Sequence, residues 1–314
     1  RTDMTVLDAD SALNRAVADM SVKGVTPEQE YLKNPDLKRE DIDALREWVK
    51  TQDHLPPISE QQLILFHHSC YYKMEATKSC IEVYYRIRMN TPEFFCDRDV
   101  SKSPLKQSSQ VLQCGCLPEK DPNGYQIIFH GLQQYEASKY VFVDGVKLLI
   151  MCIDMCLHSE GTAPGYVFLF NMKGVKLTHL TRLSIGYLRK FFEYIQEGLP
   201  VRLKAIHVVN TLPIIDKIMF MIKPFMKKEL LNLLHFHYGG FEEVQKYIPK
   251  HCLPNDFEGE LPSCADLHDK CIEWMTKITP QFLEDEKLIR NDKNIHSKNR
   301  EELQEVSLRG LSID

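Results

Sequence analysis

Several common features are missing from these 314 residues. No apolar run approaches the roughly 18 residues that read as a membrane-spanning helix; the greasiest segment, MFMI at 219–222, lies between Lys217 and Lys223. There is no GxxxxGK[ST] phosphate loop, no GxGxxG after a strand, no GxSxG elbow and no HExxH helix, so the usual apparatus of several large enzyme classes is lacking. An excess of positive charge is lacking too. Lys and Arg number 39 against 44 Asp and Glu, for a net charge of −5, which excludes a general nucleic-acid binder and makes any basic patch local. Ten cysteines are scattered without CxxC pairs at zinc-ribbon spacing. Cys114-Gly-Cys116 is tighter than a usual zinc clamp, and Cys152 and Cys156 sit one turn apart on an apolar stretch. Reduced, mostly buried thiols are the expectation, with metal binding as the alternative. The opening RTDMTVLDAD carries no apolar core of the secretory kind, so a cytoplasmic protein is expected.

What is present falls into two parts. Residues 1–24 are low in apolar density and predict a flexible N-terminus. TPEQEYL (26–32) and LKREDIDALREWVKTQ (37–52) read as helices, the second with Leu37, Ile42, Leu45, Trp48 and Val49 on one face. Two prolines at 56–57 end that pattern, and Ser59 is a good N-cap for a helical region, 61–90, in two pieces. PEFF (92–95) and the polar SKSPLKQSSQ (101–110) mark a junction, so 25–100 is expected to be an all-α module. Beyond it the period changes. YQIIFHGLQ (125–133), YVFLFNMKG (166–174) and KAIHVVNT (204–211) have strand character, with helical runs at 142–160 and 177–200 between them. That alternation predicts an α/β domain with a mostly parallel sheet over 101–263. Helices are expected at 213–222 and 225–236, a short strand at KYIP, and a closing amphipathic helix from 264 to 283 within a C-terminal segment, 264–314, that ends in a charged tail.

Candidate catalytic groups do not assemble into a constellation. His67 and His68 are adjacent on a helix and point about 100° apart, so they cannot clamp one ion well. His235 and His237 flank a helix end beside Gly239-Gly240, where packing is commoner than ligation. His207 lies among apolar strand neighbours and reads as a core histidine. The carboxylates at 242–243, 258 and 260 read as solvated surface. No enzyme activity and no cofactor are expected.

One ordered set of segments is more specific. PVRLKAIHVVN (200–210) followed by a helix and KPF (223–225), with LFNMKGVKLTHL (169–180) upstream and CLPNDFEGELPS (252–263) downstream, resembles the CRAL-TRIO (Sec14-like) lipid-binding family. The resembling branch contains α-tocopherol transfer protein and cellular retinaldehyde-binding protein. YYRIRMNTPEFF (84–95) resembles the companion helical module, although HHSCYY (67–72) stands where that module carries an arginine-rich turn. Asn171 replaces a usual aspartate, and Phe257 and Glu258 depart from a usual LPxEYGG.

The resemblance implies a sheet as the floor of an apolar cavity and the helix after IHVVN as its lid. The composition of IIDKIMFMI (214–222) agrees, since only Asp216 and Lys217 are polar there and such a helix must be covered on nearly every side. An ordinary buried core helix is the competing reading; prolines at 213 and 224 bracket the segment as hinges would. By alignment, the implied cavity residues are Leu149, Ile153, Phe168, Phe170, Leu183, Phe191, Tyr194, Ile195, Leu203, Ile206, Ile215, Ile218, Met219 and Ile222, with Tyr187 and Tyr194 as the evident polar groups. Leu149 and Ile153 stand where a relative has serines. A wall so apolar favours a lipid or isoprenoid with at most one hydroxyl or carbonyl.

Arg202 and Lys204, at i and i+2 on a strand, share a side. The resemblance implies that they help hold a phosphoinositide headgroup, a task suited to a forked guanidinium and a pointlike ammonium. Glu229 and Leu233 replace two further family cations, with Lys227 and Lys228 close by as substitutes; a solvated basic edge is the alternative. The expected function is a carrier that encloses one hydrophobic molecule (of tocopherol, retinoid, carotenoid or other isoprenoid type) and transfers it between membranes. The alternative is a phosphoinositide-binding, membrane-recruited adaptor. Expected partners are the ligand and an anionic membrane surface, touched transiently from the cytoplasm.

Overall fold

A computed structural model of the chain describes residues 24–211 and 214–290. The expected flexible N-terminus, the charged tail beyond 290 and the hinge at Pro213 lie outside the described residues.

The helical module begins with α1 (Pro27–Lys33) and α2 (Arg39–Lys50), then α3 (Glu60–Ser69) and α4 (Met74–Asn90), and closes with the single-turn α5 (Pro92–Phe95). Thr26 and Ser59 each cap their helix in a reciprocal box with the glutamine three residues on, Gln29 and Gln62, which satisfies two orphan amide donors at each start. Between α3 and α4 the HHSCYY turn places Tyr71 and Tyr72 in the left-handed region, at φ 53° and 60°. That conformation disfavours a side chain with a Cβ by about 1–2 kcal/mol per residue, so contacts made by the two rings must offset it.

The second part follows as α6 (Leu105–Val111), β1 (Leu112–Cys116), β2 (Gln126–Leu132), the long α7 (Phe142–Glu160) and β3 (Tyr166–Asn171). Next come α8 (Leu177–Leu180), α9 (Ile185–Glu193), a π-turn (Tyr194–Gly198), β4 (Leu203–Val209), α10 (Ile215–Ile222), α11 (Lys228–Leu231) and β5 (Leu234–Phe236). The chain ends with α12 (Phe241–Gln245), α13 (Cys264–Lys277) and α14 (Thr279–Ile289). The five strands form one sheet in sequential order, antiparallel between β1 and β2 and parallel thereafter. This is the expected all-α module before a mostly parallel sheet. The two central crossovers run through α7 and α9, as parallel neighbours require.

Five elements differ from expectation. Residues 225–236 form the short α11 and then β5, because Leu234 and Phe236 face one way and His235 the other once the backbone pairs with β4. KYIP forms turns rather than a strand. The helix expected at 177–200 is broken into α8, α9 and the π-turn, and that expected at 264–283 divides between α13 and α14. β1, just past the stretch read as a junction, is an added edge strand. Among the cysteines, Cys116 of β1 and Cys156 of α7 meet as a sulfur-to-sulfur pair. The sulfurs of Cys114, Cys152 and Cys271 gather beside it in the core, with Cys152 and Cys271 3.8 Å apart.

The sheet has two unlike faces. Ile127, Phe129, Val167 and Leu169 pack on a smaller core built from α12, α13 and the 252–261 loop. Ile128, Phe168, Ile206 and Val208 face the main core, which runs without interruption into the helical module.

Three polar ties fix the module to the sheet domain. Glu30, fully buried, accepts hydrogen bonds from the Thr162 amide (2.8 Å) and hydroxyl and from Asn34 Nδ2 (3.0 Å). Gly161 makes that approach possible: its φ is +66° and a Cβ there would collide with the Glu30 carboxylate. Arg88 and Arg98, both buried, converge on Asp154 of α7 at 2.7 and 3.0 Å. Arg202 provides the third tie, described below.

Candidate functional site

Strand register builds the floor of an apolar cavity. Side chains alternate across a strand, and the pairing aligns Ile128, Phe168, Ile206 and Leu234 in one row across the sheet. A second row runs His130, Phe170, Val208 and Phe236. Phe168 and Phe170 stack with ring centroids 6.0 Å apart and planes 12° from parallel.

Over this floor lie two adjoining lobes of about 210 and about 230 Å³, which share Leu149, Phe170, Met172, Phe191 and Ile218 in their walls. The first lobe sits under α10. Ile215, Ile218, Met219 and Ile222, spaced for one helical face, point into it, and Leu203, Ile206 and Ile195 line it from β4 and the π-turn. The second lobe extends toward β2 and α8 and includes Leu183, His130, Tyr140 and His179. Two larger clefts, of about 540 and about 560 Å³, carry more polar groups, the first mixing Asp154 and Asp285 with apolar side chains and the second lined by Asn171 and Asn210. Carboxylates and amides at their walls suit water better than hydrocarbon.

The opposite side of α10 faces outward. Phe220 is 84% exposed, and Lys217 and Lys223, three residues to either side, are exposed as well. The far end of the lid is held at the π-turn. Gln196 donates to the Phe225 carbonyl (3.1 Å) and accepts from the Lys227 amide (2.6 Å), while Lys227 Nζ pairs with Glu197 at 2.9 Å.

Twelve of the fifteen cavity residues implied by the sequence therefore meet around the two lobes. Ile153, Tyr187 and Tyr194 do not. Ile153 is fully buried in the core one turn past Leu149. Tyr187 and Tyr194 lie on the side of α9 and the π-turn that meets the module. Tyr187 donates to Glu93 (2.9 Å), and the Tyr194 hydroxyl accepts from Arg88 Nη2 (2.8 Å). The polar side chains on the cavity wall are instead those of His130, His179, Tyr140 and Asn171. The sequence held a signal for the first: in QIIFHGL the alternation places His130 on the face of Ile128 and Leu132.

The four cations are dispersed in role. Arg202 donates from Nε to the His68 carbonyl (2.8 Å), with its guanidinium 4.3 Å from the Tyr71 ring centre. Lys204 donates to the Tyr71 hydroxyl (2.9 Å). These contacts face the strained HHSCYY turn and form the third tie to the module. Lys227 is paired with Glu197, and Lys228 is exposed at the start of α11. On the other face of the sheet His207 and His237 share a hydrogen bond of 2.9 Å. Burial and the neighbouring imidazoles push His207 down to about 3, so this is a packed neutral cluster.

Residues 34–105 match a Pinta-like UBA domain and residues 111–259 a CRAL/TRIO domain. Alpha-tocopherol transfer protein-like from Homo sapiens is 26% identical over 237 residues, covering 74% of this chain and 68% of its own. Clavesin-2 from Homo sapiens is 23% identical over 254 residues, 76% of each chain. Among solved structures, the crystal structure of Sfh5 is similar at a TM-score of 0.47 and 12% identity, over 88% of this chain and 93% of that one. No helix among the described residues is long and apolar enough to cross a membrane.

Proposed function

Because residues 111–259 make this chain a member of the CRAL/TRIO family, typically lipid-binding transfer proteins, we propose that it is a non-enzymatic carrier in the cytoplasm. It encloses one small hydrophobic molecule of tocopherol, retinoid, carotenoid or other isoprenoid or lipid type and releases it at membranes. The observation that carries this reading is the two-lobed apolar cavity closed by α10, an eight-residue helix that covers the cavity with one face and offers Phe220 to the outside with the other.

We place the membrane contact at the lid. Lys217, Phe220 and Lys223 combine an insertable ring with two flanking cations, an arrangement that suits an anionic interface. Lys228 lies near the same edge. Arg202 and Lys204 are engaged with the module and Lys227 with Glu197, so a phosphoinositide headgroup would have to draw these three from existing partners. That favours the carrier over the adaptor.

Organic extraction of the purified protein followed by mass spectrometry tests the proposal. About one apolar molecule per chain is expected, and Phe168→Asp should abolish it, since a carboxylate in this wall stays unpaired or neutralises itself. Circular dichroism shows whether the variant folds. Wild-type protein that yields no ligand and takes up none from donor vesicles would overturn the carrier reading.

A further inference from the structure

The cavity floor is apolar except at one end. Along the second cross-strand row, His130 is the polar member among Phe170, Val208 and Phe236. Its Nε2 is sealed from solvent and has no hydrogen-bond partner. The wall of the same lobe also holds His179 of α8, 4% exposed, whose Nε2 is likewise sealed and unpartnered. A buried polar atom without a partner is disfavoured, and in a native protein each one calls for an explanation.

The protonation of His179 follows from its other nitrogen. Nδ1 accepts the Lys176 amide hydrogen at 3.0 Å, so in the neutral ring Nε2 carries the proton and is an orphan donor. Burial lowers both rings, His130 to about 4 with a further push from His268. Both are therefore neutral imidazoles near pH 7, able to bond a neutral group without bringing a charge into the cavity.

We propose that His130 and His179 form a polar-head subsite within the carrier's cavity, on which reading this inference rests, and that the ligand carries one hydroxyl or carbonyl there. A carbonyl accepts from His179, and a hydroxyl accepts from His179 while donating to His130. The apolar remainder runs past Phe170 and Leu149, which both lobes share, to lie beneath α10. This orientation puts the polar end at β2 and α8 and the hydrocarbon end against the lid. Carboxylates and phospholipid headgroups are disfavoured, because the subsite supplies no cation.

The test uses two labelled probes of one carbon skeleton, farnesol and its saturated hydrocarbon farnesane, retained by the full chain on gel filtration. Two recovered buried hydrogen bonds should favour farnesol by roughly a hundredfold. His130→Leu leaves the His179 donor and should cut that preference to roughly tenfold, and the double variant with His179→Leu to within about twofold, both keeping farnesane binding. His130→Leu removes no protein hydrogen bond from Nε2, so it carries the test if loss of the Lys176 contact unfolds the double variant. Equal retention by the wild type, or a preference undiminished in His130→Leu, overturns the subsite while farnesane retention leaves the carrier standing. Retention of neither probe overturns both.

Discussion

Phe220→Ser is expected to weaken membrane association without changing ligand retention in solution. Fully burying a phenylalanine side chain contributes about 1.5–3 kcal/mol. Phe220 is 84% exposed, so nearly all of that surface is available to a bilayer. An interfacial helix sinks only part of its apolar face, and recovering half of the total gives about 1 kcal/mol, or roughly a fivefold loss of vesicle binding when the ring is removed. The effect should hardly change with salt. Lys217→Ala with Lys223→Ala should behave differently, losing about 1 kcal/mol per cation at low ionic strength and much less at high. Vesicle sedimentation at two salt concentrations, with and without anionic lipid, separates the two contributions. Leu32 on α1 provides the control: it is equally exposed, at 84%, but lies on the module. If Phe220→Ser binds vesicles as wild type does, or Leu32→Ser loses as much, the outward face of α10 is not the docking surface.

Asp154→Ala leaves Arg88 and Arg98 buried without their shared carboxylate and should cost about 3–5 kcal/mol in a urea titration; a loss below about 1 kcal/mol would show that water or Tyr194 compensates. Arg202→Ala with Lys204→Ala should loosen the module by about 1–3 kcal/mol and speed proteolysis at 67–72, whereas an unchanged digest would mean the tie is dispensable. His68 and His207, held down to about 3, and His130, to about 4, stay neutral in the fold because of burial. Above the unfolded value near 6.5 they add no pH dependence. Between about pH 6.5 and 4 the unfolded chain takes up protons that the fold refuses, so stability should fall with acidification, less steeply in His207→Gln. A urea midpoint that is flat over this range would refute the assignment.

Long, strongly patterned elements were legible in the sequence. The helix expected at 142–160 forms as Phe142–Glu160, and the strands expected at 125–133, 166–174 and 204–211 form as Gln126–Leu132, Tyr166–Asn171 and Leu203–Val209, each ending one to three residues early. Short elements were not. β5 has three residues, and Leu230, Leu233 and Leu234 mimic a helical stripe until pairing with β4 overrides it. α9 gave apolar residues over more than one face, and periodicity does not say which face meets the module and which the cavity. That is why the sequence alone does not separate Tyr187 and Tyr194, which meet the module, from Phe191, which reaches the cavity. The cations look alike in sequence whether they await a ligand or, as with Arg202, brace a turn held at positive φ. Asp154 was the readable clue left unused: a lone carboxylate inside IMCIDMCL needs a cation, and Arg88 and Arg98 supply two.

The π-turn at Tyr194–Gly198 has a mechanical consequence. Tyr194 is bonded to Arg88 in the rigid frame, while Gln196 and Glu197, two and three residues on, hold the lid at Phe225 and Lys227. One widened turn is thus a hinge-post on one side and a catch on the other. Swinging α10 outward would release this catch, two hydrogen bonds and a surface ion pair that water or a headgroup can replace, and would expose Ile215, Ile218, Met219 and Ile222, which hydrocarbon can receive. The post would stay anchored in the protein, so the door could open without the frame moving.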